Sequence, residues 1–287
     1  MPESDLLSPE TIAPLVRNTI FAGHIFHCDQ TESTNLLASR AAALAGQNQE
    51  TASEGEVFLA EEQTAGRGRG NHRWHSEPGT GIYCSVILRP HIRASDALWL
   101  SLIAAVASQD AVREVTGHAA DIRWPNDLLI NDRKFCGILT ELSTEGTRVR
   151  HAIVGIGINV NQNSFPEELA GLATSLRMET GKQWSRTELV AALLKSLDRE
   201  YRAFMRAVNG QFHTSSLRFD PILKRVEARS SYAHGKLVHV DEDGGYSGVT
   251  DGLDAQGFLR VRTEKGLRMV ISGSVRPLAR RPDATGC

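Results

Sequence analysis

The sequence predicts an α/β or α+β fold: one large mixed domain followed by a small all-β barrel. Two observations carry this. Up to about residue 205, capped apolar runs of helical type alternate with short β-type segments. After about residue 230 the helical patterns stop, and short strands separated by glycine turns take over. The 287 residues give room for two unequal units. At this size roughly 75% of the unfolded surface is buried on folding, so no covalent staple is needed.

The elements follow in chain order. Residues 1–20 read as a lead-in, because Pro2, Pro9 and Pro14 break any long helix. Ser33, Thr34 and Asn35 precede LLASRAAALAG, a cap followed by strong helix formers that ends at Gly46. Residues 56–60 read as a strand, and Ile82, Cys84, Val86 and Leu88 alternate as a second one. Residues 95–115 form a buried helix opened by Ser95 or Asp96. Residues 127–142 form a hairpin with Asn131 and Asp132 at its tip. Residues 152–160 form a strand carrying Gly155 and Gly157. Ser185 and Glu188 match a capping box before an amphipathic run to Met205. Residues 236–240, 246–249, 258–261 and 267–271 are the short strands of the small unit.

Composition is that of an ordinary globular protein, 41% hydrophobic and 23% charged. The formal net charge of −2 argues against a general polyanion binder, although it leaves room for a local basic patch. Cys28, Cys84, Cys136 and Cys287 form no CxxC pair and read as reduced thiols of a cytoplasmic protein. The start MPESDLLSPE has no basic-then-apolar signal pattern, and the longest apolar stretch, 97–107, is too short to span a bilayer. The expectation is therefore no membrane partner. His24, His27 and Cys28 cluster, as do His72 and His75, without a matching second half for a zinc site, so the metal ligands are left unassigned. No GxSxG nucleophile pattern is present.

Three segments carry chemistry. In QTAGRGRG (63–70), alternating glycines let a ligand approach the backbone, and Arg67 and Arg69 supply planar cations suited to carboxylate or phosphate. The same loop suits a solvated basic turn or a nucleic-acid contact. It is neither a P-loop nor a dinucleotide fingerprint. In RWPND (123–127), Asn126 and Asp127 open a strand and suit ribose hydroxyls, a hydrated cation or simply a turn. Lys134 follows the hairpin tip among apolar residues and could point into a site or to solvent. Taken together and in order, the segments suit activation of a carboxylic acid by a nucleotide.

These segments resemble the biotin–protein ligase family, biotin–[acetyl-CoA-carboxylase] ligases. The likeness is collinear over about residues 31–277 and includes Ser33-Thr34-Asn35, the QTAGRGRG loop, Trp74, the WPND box, Arg133-Lys134, Gly137-Ile138-Leu139, Glu141 and Gly155-Ile156-Gly157-Ile158-Asn159. The resemblance implies an α+β fold, a class II synthetase-like mixed sheet with helices followed by an SH3-like barrel. Its divisions are a lead-in (1–20), a biotin- and ATP-binding catalytic domain (21–230) and the barrel (231–287).

It further implies that biotin and ATP, with Mg²⁺, give biotinyl-5′-AMP, and that biotin then passes to a lysine of a biotin carboxyl carrier domain. Arg69 and Lys134 take the catalytic roles. Ser33, Thr34, Asn35, Gln63, Gly66, Arg67, Gly68, Arg69, Lys134 and Gly137 fall to biotin. Arg69, Trp74, Arg123, Asn126, Asp127, Lys134 and Asn159 fall to ATP and the adenylate.

Two departures stand out: Arg123 replaces a frequent lysine, and Gly70-Asn71-His72-Arg73 replaces a more basic run. About 20 residues precede Phe21, too few for the DNA-binding domain of bifunctional members, so a monofunctional enzyme without nucleic-acid partner is expected. The resemblance allows a homodimer. The readings that compete are a lipoate- or octanoate-handling ligase of the same superfamily, and a nucleic-acid-binding module using Arg260, Arg262, Arg268 and Arg276.

Overall fold

The computed structural model describes residues 6–44, 53–70, 72–210 and 219–278. The chain opens with α1 (Pro9–Ile12), capped by the Ser8 hydroxyl, and a 3₁₀ turn at Ala13–Val16. Leu7, Ile12 and Val16 are buried in the main core, so the expected lead-in is packed. Then come β1 (Ile25–Thr31), α2 (Thr34–Leu44), β2 (Val57–Gln63) and β3 (Gly81–Leu88). A 19-residue helix, α3 (Leu98–Thr116), ends on Gly117 in the left-handed region. Strands β4 (Asp121–Arg123), β5 (Asp127–Ile130), β6 (Arg133–Glu145) and β7 (Arg148–Asn159) follow. Helices α4 (Leu176–Thr180), α5 (Arg186–Asn209) and α6 (Asp220–Glu227) lead to the C-terminal strands.

The large sheet is mixed, in the order β1-β2-β3-β7-β6-β5-β4. Only β1 and β2 run parallel; the other neighbours are antiparallel. Alternation along β3 and β7 gives the sheet two faces. Ile82, Cys84, Val86, Val154, Ile156 and Ile158 join the core that contains α3 and α5. On the opposite face Phe58, Ile87 and Ile153 meet Ala38 and Ala42 of α2. The site lies on this second face, beside the start of α2.

The C-terminal strands are β8 (His234–Asp241), β9 (Tyr246–Leu253), β10 (Leu259–Thr263), β11 (Gly266–Val270) and β12 (Ser274–Pro277). They form an antiparallel sheet in the order β11-β10-β9-β8-β12, a meander whose last strand returns to the first. The expected barrel is thus a sheet whose described strands leave β11 and β12 as edges. It docks on the large unit: Trp124 Nε1 donates to Gly257 O at 2.9 Å, and Gly257 packs against Trp99 and Leu102.

The hairpin at 127–142 forms as expected, with Asn131 and Asp132 at φ 50° and 61°. Strands β1, β4 and β12 and helix α6 go beyond the sequence expectations. β1 and β4 are sheet edges, where a strand meets one neighbour and alternation is weak. The end of the α2 run at Gly46, and Pro2, Asn71 and Cys287, lie outside the described residues. No helix among the described residues is long and apolar enough to cross a membrane.

Candidate active site

The floor of the site is a patch of large sheet stripped of side chains. Gly137 on β6 pairs with Gly157 on β7, and Gly155 lies two residues back on the same face. A Cβ at Gly157 would stand 2.6 Å from Trp74 Cε2, one at Gly137 would stand 2.8 Å from Trp74 Cζ3, and one at Gly155 would stand 2.0 Å from Asn35 Oδ1. The glycines are needed because the indole and the Asn35 amide lie flat on the sheet.

Polar groups at the start of α2 form one wall. Gln63 Oε1, at the end of β2, accepts from the Thr34 N–H at 2.9 Å and from its hydroxyl at 3.2 Å. Gln63 Nε2 donates to Ser76 Oγ at 3.2 Å. The fully buried Ser85 donates to Asn35 Oδ1 at 2.6 Å and lies 2.8 Å from Thr34 Oγ1. Asn35 Nδ2 donates to Glu141 at 2.7 Å, and Glu141 pairs with Arg67 at 2.9 Å. The network fixes donors and acceptors beside the glycine floor, where a polar ligand ring would need them.

The glycine-arginine loop folds back on itself above this floor. Gly68 N donates to His72 O and Trp74 N donates to Gly66 O, so residues 66–68 and 72–74 make a short antiparallel clasp. The narrow pocket beneath is lined by Ser33, Thr34, Asn35, Gln63, Arg67, Gly68, Arg69, Trp74, Lys134 and Gly137, with a free volume of only about 40 Å³.

Cations gather at the other end. Asp127 on β5 takes Lys134 Nζ at 2.5 Å and Arg123 Nη2 at 2.7 Å. Burial works against the charge on Asp127, but these two cations outweigh it and hold its carboxyl below the usual range. Asn126 Nδ2 donates to Ile138 O, which steadies the amide beside Arg69. Arg69 Nη1 reaches Asn126 Oδ1 at 3.4 Å, and Nη2 donates to Ser272 O at 2.7 Å. Burial lowers the Arg69 pKa, opposed by Asp127 and Glu242.

Beyond Lys134 the pocket opens into a cleft of about 580 Å³ that holds Trp74, Arg123, Asn159, Phe165, Leu172 and Arg276 among its walls. Asn159 is buried, and its Nδ2 donates to Thr174 O at 3.0 Å, whereas its Oδ1 has no hydrogen-bond partner among the described residues. The residue borders the cleft while this acceptor is closed off from solvent, so a small movement of the wall would be needed to bring a ligand donor to it. Ser274, the buried Val275 and Arg276 on β12 line a smaller recess of about 230 Å³ that adjoins the cleft and also borders Arg69, Arg123, Asp127 and Lys134.

Apart from Gly66, the sequence-derived residues line the narrow pocket or the two recesses adjoining it. Gly66 is set apart, because it supports the loop through its backbone and does not line the pocket. Arg123 and Asn159 border the cleft, and Asp127 the smaller recess beside it, rather than the narrow pocket. Ser85 and Tyr83 belong to the site although sequence reasoning did not place them there, and Gly155 and Gly157, noted in the sequence on their strand and in the family likeness without a role in the site, lie in its floor. The alternation of β3 held the signal for Tyr83 and Ser85: polar groups on the face opposite Ile82 and Cys84, in a strand buried throughout. Of the four barrel arginines, Arg262 pairs with Asp251 and Arg268 with Asp243, whereas Arg276 faces the cleft. His27, from one candidate metal cluster, instead contacts Glu61 at 3.2 Å.

Comparison with known proteins agrees with this geometry. Residues 28–159 match the Biotin/lipoate A/B protein ligase family, and residues 233–276 match the Biotin protein ligase C terminal domain. The Bifunctional ligase/repressor BirA of Bacillus subtilis is 37% identical over 274 residues, which cover 94% of this chain and 78% of that protein. The Biotin--[acetyl-CoA-carboxylase] ligase of Paracoccus denitrificans is 32% identical over 222 residues, covering 76% and 88%. The biotin protein ligase from Aquifex aeolicus, solved in complex with biotin and ATP, superposes with a TM-score of 0.73 at 30% identity, covering 89% of this chain and 100% of that one. With relatives this similar over most of their own length, the chain belongs to the biotin protein ligase family.

Proposed function

We propose that this protein is an ATP-dependent ligase that activates biotin as biotinyl-5′-AMP and transfers it to one lysine of a biotin carboxyl carrier domain. The observation that carries the reading is the joining of two half-sites. A polar-walled pocket on a glycine floor meets a cationic cleft at Arg69 and Lys134.

In this reading the ureido ring of biotin lies among Ser33, Thr34, Asn35, Gln63 and Ser85, and its carboxylate points to Arg69 and Lys134. The α-phosphate of ATP sits at the same cations. A carboxylate oxygen attacks that phosphorus, the bond to the β-phosphate breaks, and pyrophosphate leaves. Carboxylate and triphosphate repel each other, so fixed cations lower the barrier by meeting the charge where they converge. Asp127 holds Lys134 and Arg123 near that point. Arg276 adds positive charge to the cleft, and Asn159 Oδ1 offers an acceptor to the adenine amine. In the second step the neutral lysine amine attacks the acyl carbon and AMP departs.

The loop at 66–74 covers the mixed anhydride and keeps water away from it. Mg²⁺ is proposed as a companion of the ATP phosphates rather than a resident ion. Among the described residues no group of three or more His, Cys, Asp or Glu side chains could hold a metal.

The test is biotin-dependent exchange of labelled pyrophosphate into ATP, with lipoate and octanoate as controls. Exchange with biotin alone supports the reading. Exchange with lipoate instead keeps the fold and overturns the substrate.

A further inference from the structure

Arg69 is gripped from outside its own unit. Its Nη2 donates to the carbonyl of Ser272, in the turn between β11 and β12, at 2.7 Å. That turn is itself held by one carboxylate from the β8–β9 connection. Glu242 accepts from the Ser272 N–H at 2.7 Å, from the Ser272 hydroxyl at 3.1 Å and from the Ile271 N–H at 3.2 Å. These backbone donors keep the Glu242 carboxyl below its ordinary range despite partial burial.

We propose that Glu242 is a positioning residue for the adenylation step: it fixes the 271–273 turn so that the Ser272 carbonyl holds the Arg69 guanidinium at the junction of pocket and cleft. The inference rests on the ligase reading. Its physical basis is orientation. A peptide carbonyl directs a cation only if the peptide is itself fixed, and here three donors are gathered by one anion. Arg69 is long and flexible, and without an anchor it samples many rotamers. A guanidinium displaced by about 1 Å from the developing charge forfeits much of its effect. The C-terminal sheet then takes part in the chemistry through a carboxylate that touches neither substrate.

The full-length protein carries the test. Glu242→Ala is expected to lower kcat for biotin-dependent ATP–pyrophosphate exchange about tenfold, less than loss of a direct charge-stabilising donor. Glu242→Gln retains an acceptor for the Ser272 N–H and is expected to keep at least about a third of the wild-type kcat. In an Arg69→Ala background, Glu242→Ala is expected to cost nothing further, because its effect runs through Arg69. Equal losses in both backgrounds, or no loss in the wild-type background, overturn the proposal.

A second readout needs no activity. Trypsin cleavage after Arg69, followed by mass spectrometry, is expected to quicken in Glu242→Ala without a lower thermal midpoint. An unchanged cleavage rate overturns the proposal. Were the wild type to show no biotin-dependent exchange, the ligase reading would fall, and the trypsin result would still decide whether Glu242 fixes Arg69.

Discussion

Trp74 lies across the sheet where Gly157 has no side chain, with Cε2 of its indole 2.6 Å from the place a Cβ would take. An alanine there must push the indole off the floor or crowd whatever binds on it. Gly157→Ala is therefore expected to weaken biotin binding by about 5- to 150-fold, the equivalent of the 1–3 kcal/mol that overpacking typically costs. The main core is on the other face of β7, so the thermal midpoint should move little. Calorimetric titration beside a melting curve checks both; tight biotin binding by the variant would show that the floor is not the ligand surface.

The same closeness bears on access. The free volume of about 40 Å³ beneath the loop is small beside the roughly 300 Å³ and more of typical ligand pockets. In the proposed ligase the Trp74 ring or the loop above it is therefore expected to shift as biotin enters. Of the four tryptophans, Trp99 and Trp124 are buried in the core and Trp184 lies beyond the pocket, so emission should change through Trp74. Biotin is expected to alter intrinsic fluorescence of the wild type and not of Trp74→Phe. A full response from that variant would assign the movement elsewhere.

The sequence made much of this site legible because glycine, arginine and lysine were forced onto it by chemistry that few other residues perform. The QTAGRGRG loop, the WPND box and Lys134 could be named from their order alone. The network behind them was less legible. Ser85 is a single serine in an apolar strand, and it matters only because β3 lies opposite the start of α2. Glu242 and Ser272 were invisible for the same reason: they meet Arg69 across about 200 residues of chain, through the docking of two sheets. Local periodicity also explains the fold-level result. It found α3, α5 and the β5–β6 hairpin, whose partners impose strong patterns, and missed β1 and β4, edge strands with one neighbour each.

In the proposed ligase Asn159 is expected to bear on which nucleotide is used. Its Nδ2 is committed to Thr174 O, which fixes the amide so that Oδ1 stays an acceptor. Adenine presents an amine to such a group; hypoxanthine presents a carbonyl, which leaves Oδ1 unpaired and repelled. ATP is expected to be preferred over ITP by about 10- to 100-fold in kcat/KM, the cost of one buried unsatisfied acceptor. Equal use of the two in pyrophosphate exchange would place the base away from Asn159.

Stability in acid should depend on one buried pair. Arg186, fully buried at the start of α5, reaches Glu61 on β2 at 2.6 Å. Burial opposes the charge on Glu61, but the Arg186 bond and charge, the Leu7 N–H and His27 outweigh it and hold its carboxyl below the ordinary value of 4.5. A depressed folded-state pKa means that the unfolded chain binds this proton first. The stabilisation is therefore complete above about pH 4.5 and is lost as pH falls through the lower, folded value. Glu61→Gln removes the charge of one Arg186 partner, while the guanidinium keeps its bond to Gly81 O at 3.2 Å, and is expected to cost about 1–3 kcal/mol at neutral pH. Below the folded pKa the wild type loses the same charge, so the two unfolding curves should converge there. Denaturant melts from pH 7 to 2 would show it; a constant gap across that range would mean that Glu61 contributes through packing rather than through its charge.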